Sequence, residues 1–168
     1  MSKAKVIEKF PEAGEMVVHA LGRDWAWDIR DTECWPVVFD WSSDLEIVYA
    51  AMQKAGRGFR QVVQAGGNFG TWPWLLAQTF QSVYTFEPDP RCFPFLVSNC
   101  SGLKNIVYFQ SALGNRPGLI HLENTDHETT NLGAQFVRPG GIVPTMRIDD
   151  LGLEEVDLIY LDIEVFEL

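Results

Sequence analysis

A glycine-rich turn followed by a single carboxylate has the clearest chemical potential in this sequence. The turn reads QAGGNFG over residues 64–70 and directly follows an apolar run. Gly66 and Gly70 would let the backbone turn sharply and approach a ligand closely. Glu87 ends the run VYTFE, about 20 residues beyond the turn, which is the spacing of an acid that binds ribose hydroxyls. The pattern favours a nucleoside ligand, and the alternative role of Glu87 is to cap the next helix beside Pro88.

Two further acids, Asp162 and Glu164, follow the last strong apolar run, LIYL. Carboxylates at the end of such a strand can take the proton of an attacking hydroxyl, and the alternative is a solvated strand end. His127, in the polar stretch ENTDHETTN, is a third candidate base or else a solvated surface residue. No metal is predicted, because the nearby acids and histidines lack the spacing of zinc ligands. These residues are His121, Asp126, His127 and Glu128.

Alternating strands and helices, which begin near residue 60, must position these groups. The runs QVVQA, SVYTFE, NIVYFQSAL and VDLIYLDIE predict strands, and TWPWLLAQTF and PDPRCFPFLVSNCSG predict helices between the first three. Such alternation is typical of right-handed βαβ units, so we predict an α/β fold with a parallel sheet and helices on both faces. Ligands bind these sheets at the carboxyl ends of the strands. GLIHLE predicts a short additional strand.

Residues 1–59 lack this alternation. We predict that they form a lead-in segment that packs on the main domain, residues 60–168, and covers its cleft. EMVVHAL predicts a short strand there, and SSDLEIVYAAMQKAG predicts a helix. The tryptophans of this segment are expected in core or lid packing rather than in an aromatic cage around a cation. They are Trp25, Trp27, Trp35 and Trp41.

Four ordered pieces of the sequence resemble class I methyltransferases that use S-adenosylmethionine, and among them the FkbM family. The pieces are VVQAGGNFG, VYTFEPDPRCFPFLVSNC, NIVYFQSALGNRPG and TMRIDDLGLEEVDLIYLDIEVFE. The resemblance implies a Rossmann-like methyltransferase sheet with S-adenosylmethionine as cofactor. It implies that the glycine turn holds the methionine part, that Glu87 holds the ribose, and that Ser111 and Ala112 lie near the adenine. The residues expected to bind the cofactor are Gln64, Gly66, Gly67, Asn68, Gly70, Glu87, Ser111, Ala112 and Asp162. The expected catalytic residues, facing the sulfonium and the acceptor, are Asp162 and Glu164.

Three features depart from the family pattern. Gln64 stands where the family has an aspartate, and its amide can still accept a hydrogen bond but without charge assistance. Val165 stands where a glycine is usual, and a β-branched residue is strained there if the turn needs positive φ. The chain ends at Leu168, directly after the fourth strand. The sheet is therefore expected to stop at an exposed fourth strand. Either the protein is truncated there, or a partner chain or a second copy covers that strand.

Composition limits the classes of partner. The 168 residues carry a net charge of −10, which disfavours nucleic acid but not a small cationic ligand. No apolar run approaches the roughly 20 residues that span a bilayer, and the N-terminus lacks the apolar core of a signal peptide. We predict no membrane association and a cytoplasmic location. Cys34, Cys92 and Cys100 are expected to be reduced packing thiols.

These features predict an FkbM-type methyltransferase that methylates a hydroxyl oxygen of a sugar or small molecule. The alternative is a non-catalytic module or accessory subunit that binds S-adenosylmethionine or a nucleoside. A nicotinamide-dependent oxidoreductase is disfavoured, because the glycine turn does not have the spacing G-x-G-x-x-G.

Overall fold

The residues that the structure describes form three β-sheets and four short α-helices. A computed structural model describes residues 3–40, 43–124 and 130–163. In chain order the elements are β1 (Lys5–Phe10), β2 (Glu15–Ala20), β3 (Arg23–Asp28), α1 (Cys34–Val38), α2 (Asp44–Lys54), β4 (Gln61–Ala65), α3 (Thr71–Ala77), β5 (Ser82–Phe86), α4 (Phe93–Cys100), β6 (Ile106–Phe109), β7 (Ala112–Leu113), β8 (Gly118–Asn124), β9 (Gln135–Pro139), β10 (Val143–Met146), a 3-10 helix (Ile148–Leu151) and β11 (Leu158–Leu161). None of the described helices is long and apolar enough to cross a membrane.

A parallel four-stranded sheet carries the glycine turn. Its strands lie in the order β11-β4-β5-β6, and every neighbouring pair runs parallel. α3 connects β4 to β5, and α4 connects β5 to β6. Val62 and Val63, adjacent in β4, are both fully buried, because both faces of a parallel sheet are normally covered. The predicted Rossmann-like α/β fold is confirmed.

The two faces of this sheet are covered by different kinds of structure. One face packs into a core that includes Trp25 of β3, Leu76 of α3 and Cys100 of α4. The other face holds a smaller cluster around Val63 and Phe86, and residues from 146–156 pack against it. Within the described residues, the helix in that second segment is a 3-10 helix, whereas α-helices were predicted on both faces of the sheet.

A second four-stranded sheet, ordered β7-β10-β8-β9, lies between β6 and β11 in the chain. The strand predicted at GLIHLE is confirmed as β8, whereas β9 and β10 were missed because they are short and contain proline. Side chains alternate along β8, so Ile120 is buried and Leu119 is 57% exposed. Leu122 is two residues beyond Ile120 and pairs with Val137 of β9. Leu122 and Val137 therefore lie on the same face of the sheet as Ile120.

The N-terminal segment is more regular than predicted. It forms an antiparallel three-stranded meander followed by α1 and α2, and the strand expected at EMVVHAL is β2. Trp25 and Trp27 are buried, and Trp27 stacks on Phe69 of the glycine turn with 4.1 Å between ring centroids. The prediction of core packing is therefore confirmed for these two tryptophans. Trp35 packs against the same core, and Trp41 lies outside the described residues. A domain boundary near residue 60 stays a prediction.

The side chain of Asn99 in α4 connects the N-terminal sheet, β1–β3, to the glycine turn by hydrogen bonds. Its side-chain oxygen accepts a hydrogen bond from the amide of Ala26, and its side-chain nitrogen donates to the carbonyl oxygens of Ala26 and Phe69. All three distances are 2.8 Å. Asn99 is buried, so water cannot readily replace these bonds.

We expect Asn99→Ala to lower the free energy of unfolding by about 2 kcal/mol, because it leaves buried backbone groups without partners. Urea unfolding followed by circular dichroism measures this change. Ser98→Ala, at an exposed position of the same helix, should change stability by less than about 0.5 kcal/mol. Similar effects of the two substitutions would contradict the role assigned to Asn99.

Candidate functional site

The glycine turn is a tight loop at the carboxyl end of β4. The amides of Gly66 and Gly67 both donate to the carbonyl oxygen of Phe86, at 3.0 and 2.9 Å. Gly66, Asn68 and Gly70 have positive φ angles of +81°, +45° and +97°. Glycine adopts this region without penalty, and asparagine adopts it more readily than most residues. The backbone conformation of the turn therefore accounts for its composition.

Two of the glycines also lie where no side chain fits. A Cβ atom added to Gly66 would lie 2.0 Å from the carbonyl oxygen of Asp162. A Cβ atom added to Gly67 would lie 2.3 Å from Cδ1 of Leu96 and 2.9 Å from Oγ1 of Thr85. The missing side chains let β11 and α4 approach the turn closely, so Asp162 lies beside it.

Glu87 follows β5 and binds the glycine turn through its carboxylate. Oε2 accepts a 2.5 Å hydrogen bond from the amide of Asn68, and Oε1 accepts a 2.7 Å hydrogen bond from the amide of Asp89. The second bond is a local contact in the segment before α4. Glu87 does not cap that helix, whose N-cap residue is Cys92 and which has no side-chain cap hydrogen bond. Burial raises the pKa of Glu87 to about 7, against the lowering effect of the two hydrogen bonds. This carboxyl group therefore changes protonation state near neutral pH.

A cavity of about 180 Å³ lies at this edge of the parallel sheet. The predicted site residues that line it are Gly66, Gly67, Asn68, Glu87, Ser111, Ala112 and Asp162. Ser111 and Ala112 are buried, whereas Asp162 is exposed. Glu164 lies outside the described residues.

Gln64 and Gly70 are predicted binding residues that do not line the cavity. Gly70 instead shapes the turn and lies at the start of α3. Gln64 is fully buried in β4, where its side-chain oxygen accepts a 2.5 Å hydrogen bond from the Thr85 hydroxyl. Its side-chain nitrogen donates to the carbonyl oxygen of Ala65 at 3.0 Å. The Gln64 amide is therefore engaged within the sheet, away from the place where the resemblance put a ligand contact.

Two polar atoms at the cavity have no hydrogen-bond partner within the described part of the chain. They are the hydroxyl oxygen of Thr71 and the side-chain oxygen of Asn68, and both atoms are buried. Thr71 is the first residue of α3 and is only 2% exposed. Because buried polar atoms are normally hydrogen-bonded, this pair fits a ligand that brings polar groups of its own.

Other parts of the cavity wall come from segments that the sequence analysis did not connect with the site. We call these residues the second wall: Cys34, Val37, Val38, Leu122, Asn131, Leu132, Gly133, Gln135 and Val137. They come from α1, from the loop before β9, and from the β8–β9 pair. The alternation in GLIHLE could have indicated an inward-facing Leu122, but no sequence signal connects α1 with the glycine turn.

Hydrogen bonds connect the two loops that lead into the second wall, one before α1 and the other before β9. The carbonyl oxygen of Thr130 accepts from the amides of Thr32 and Glu33, at 2.9 and 3.2 Å. The Thr130 hydroxyl donates to the carboxylate of Glu33 at 2.5 Å. The side-chain nitrogen of Asn68 also lies 3.5 Å from Sγ of Cys34, so α1 contacts the glycine turn directly.

Among the described residues, the cavity is lined by acids but by no lysine, arginine or histidine. Glu87 and Asp162 are the acids. Cys92 also lines the cavity, and burial raises the pKa of its thiol well above the ordinary value. All three cysteines lie within the described residues, and none of them forms a disulfide bond there. The described residues contain no group of three His, Cys, Asp or Glu that could hold a metal ion. Asp126, His127 and Glu128 lie outside them, and His121 is exposed on β8.

Comparisons with known proteins were made at the level of families, curated proteins and solved structures. No family model and no curated protein matches the chain. Trm5b from Pyrococcus abyssi is 16% identical over 62% of this chain and 33% of its own, with a TM-score of 0.42. M. jannaschii TYW2 in complex with AdoMet is 19% identical over 57% and 42%, with a TM-score of 0.41. The 23S rRNA methyltransferase ErmE is 26% identical over 39% and 27%, with a TM-score of 0.32. The chain spans less than half the length of each of these proteins.

Proposed function

We propose that this chain is an S-adenosylmethionine-dependent methyltransferase of the FkbM type, acting on a hydroxyl oxygen of a sugar or small molecule. One observation carries the proposal. The glycine turn, Glu87 and the unpartnered hydroxyl of Thr71 meet at one cavity, at the carboxyl edge of a parallel sheet. Sheets of this kind bind nucleotides at that edge. The four ordered sequence pieces support the choice of cofactor.

The side chains at the cavity fit S-adenosylmethionine. Each carboxylate oxygen of Glu87 accepts one hydrogen bond from the backbone and can accept another, so the pair can bind both ribose hydroxyls. The free oxygen of Asn68 can accept from the methionine ammonium group, and the Thr71 hydroxyl can donate to the methionine carboxylate. Ser111 and Ala112 would lie along the adenine. The negative charges of the cavity acids favour a cationic sulfonium.

When bound, S-adenosylmethionine supplies a methyl group on a sulfonium sulfur, and an oxygen nucleophile takes it by in-line displacement. The main contribution of the chain would be to align the acceptor oxygen with that methyl group. A hydroxyl acceptor also loses a proton, and Asp162, which lines the cavity, would accept it through its carboxylate. Glu164 is the second candidate base, outside the described residues.

A binding module without catalysis is the second candidate, and the position of Gln64 favours it. The FkbM pattern puts a carboxylate at that position, whereas Gln64 is bonded to Thr85 and Ala65 inside the sheet. A chain without this ligand contact can still hold a nucleoside through Glu87.

Calorimetric titration with S-adenosylhomocysteine tests the cofactor assignment. We expect binding, and we expect Glu87→Ala to weaken it by about 1–3 kcal/mol, because buried polar groups of the ligand lose their partner. Transfer of tritium from methyl-labelled S-adenosylmethionine to hydroxyl acceptors then separates the two candidates. Binding without transfer would favour the module, and no binding by the folded protein would contradict both.

Thr71→Val should separate ligand binding from stability. Because the hydroxyl has no partner in the free protein, we expect the free energy of unfolding to stay unchanged or to rise slightly. Binding of S-adenosylhomocysteine should weaken by about 1 kcal/mol, or roughly fivefold. Thermal unfolding without ligand and calorimetry with ligand measure the two effects.

Thr85→Val is the matched control for this substitution. It removes a buried hydroxyl that is bonded to Gln64, so it should lower stability and leave affinity nearly unchanged. If Thr71→Val lowered stability and left affinity intact, the Thr71 hydroxyl would have a structural role instead.

A further inference from the structure

We propose that the acceptor site takes an uncharged molecule that carries its hydroxyl on an apolar body, such as a phenol or an aliphatic alcohol. This inference rests on the proposed function and narrows its acceptor class. It is carried by the second wall, by the charges at the cavity, and by the distribution of unpartnered polar atoms.

The second wall presents an apolar surface to the cavity. The inner face of the β8–β9 pair contributes Leu122 and its cross-strand partner Val137. Val37 and Val38 of α1 line the same cavity, and so does Leu132 from the loop before β9. Five aliphatic side chains on one wall favour a hydrocarbon surface on the bound molecule, because burying apolar area is favourable.

The charges at the cavity disfavour an anionic acceptor. Glu87 and Asp162 line it, and no lysine, arginine or histidine does so among the described residues. The residues that the structure does not describe contain neither lysine nor arginine. A phosphate or carboxylate group on the acceptor would therefore lie beside two acids without a permanent counter-charge, which is strongly unfavourable in a partly buried site. The methionine carboxylate of the cofactor differs, because the cofactor's own ammonium group balances its charge. Nucleotides and nucleic acids are disfavoured for this reason.

The unpartnered polar atoms disfavour a sugar. The two unpartnered atoms of Thr71 and Asn68, at the cavity, belong to the start of α3 and the glycine turn and are assigned to the cofactor. On the second wall, Sγ of Cys34 lies 3.5 Å from the side-chain nitrogen of Asn68, and the side-chain oxygen of Asn131 accepts a 2.9 Å hydrogen bond from the amide of Gly133. Gln135 also takes part in an interaction within the protein. A polyhydroxylated ring would lose water at this wall and find few new partners, whereas a single reacting hydroxyl needs only the base.

Calorimetric titrations into the protein with saturating S-adenosylhomocysteine test this inference with three probes. The probes are 1-naphthol, methyl β-glucopyranoside and 1-naphthyl phosphate. Compared with 1-naphthol, the glucoside replaces the apolar body by a polar one, and the phosphate keeps the apolar body but adds negative charge. We expect 1-naphthol to bind at least about tenfold more tightly than either of the others. Equal or tighter binding of the glucoside or the phosphate would overturn the inference.

A matched pair of substitutions on β8 locates the binding. Leu122→Lys puts a cation on the second wall, whereas Leu119→Lys puts one on the opposite, exposed face of the same strand. We expect Leu122→Lys to weaken 1-naphthol binding about tenfold and to strengthen 1-naphthyl phosphate binding, and Leu119→Lys to change neither. Unchanged binding in a folded Leu122→Lys protein would overturn the inference.

A milder substitution covers the case in which Leu122→Lys does not fold. Val137→Thr keeps the side-chain shape but replaces one methyl group by a hydroxyl. It should weaken 1-naphthol binding about threefold, and no change would then overturn the inference.

Titrations with S-adenosylhomocysteine alone keep the two proposals distinct. If that ligand fails to bind while 1-naphthol binds in a Leu122-dependent manner, the cofactor assignment fails and the apolar site stands.

Discussion

Gly66→Ala is expected to lower the free energy of unfolding by about 3 kcal/mol or more and to abolish binding of S-adenosylhomocysteine. Two physical effects add at this position. A residue with a side chain that adopts the left-handed backbone conformation destabilises the folded state by about 1–2 kcal/mol. The new Cβ atom would also lie 2.0 Å from the carbonyl oxygen of Asp162, and such overpacking typically costs about 1–3 kcal/mol.

The loss of binding follows from the same contact. The Asp162 amide donates to the carbonyl oxygen of Ala65 at 3.1 Å, so the end of β11 is attached to the strand that leads into the glycine turn. Moving the two chains apart to admit a methyl group would displace Asp162 and the turn together. Urea unfolding measures the stability change, and calorimetry measures the binding.

Gly140→Ala is a control with nearly the same backbone torsion. Gly140 has a φ angle of +83°, against +81° at Gly66, and a Cβ atom there meets nothing within 4 Å. It should therefore show only the backbone effect of about 1–2 kcal/mol and leave binding unchanged. Equal losses at the two positions would mean that the contact with Asp162 contributes nothing.

Binding of S-adenosylhomocysteine is expected to weaken as the pH falls below about 7, by roughly tenfold for each pH unit, and so by about a hundredfold at pH 5. The reason is the carboxyl group of Glu87, whose pKa burial raises to about 7. The ribose hydroxyls would donate hydrogen bonds to the carboxylate, so a bound proton competes with the ligand. Above pH 7 the carboxylate is already charged, and the affinity should become constant. Calorimetry across pH 5 to 8 gives the profile.

Glu87→Gln separates this titration from those of other groups. Its neutral amide can still accept one hydrogen bond, so we expect weaker binding that no longer depends on pH between 5 and 8. A pH profile that persists in the variant would assign the proton to another group, such as Asp162.

Unfolding experiments supply an independent check on Glu87. The pKa of this residue is higher in the folded protein, at about 7, than the ordinary value of 4.5 for a glutamate. The folded state therefore binds more protons between these values, and the free protein should lose stability as the pH rises from 4.5 to 7. The trend should be smaller in Glu87→Gln, where Asp31, whose pKa burial also raises, still contributes in the same direction.

The sequence predicted the parallel sheet because its strands are continuous apolar runs that need burial on both faces, as Val62 and Val63 show. The glycine turn and Glu87 were placed correctly at one edge, since the βαβ pattern fixes where strands end. The direction of Gln64 could not be predicted, because the residue type does not reveal that Thr85 lies within hydrogen-bonding distance. The second wall depends on packing between distant segments, such as Thr32 with Thr130, and no local pattern contains that information.

The hydrogen bonds of Asn99 have a thermodynamic consequence for any ligand of the glycine turn. They fix the Phe69 carbonyl from one side, while Trp27 stacks on the Phe69 ring and the Phe86 carbonyl binds two amides of the turn. The turn is thus preorganised by the fold, and its conformational entropy is lost when the chain folds rather than when a ligand arrives. Preorganisation of this kind raises affinity without any additional contact, so mutations in α4 or in the meander can change binding from a distance.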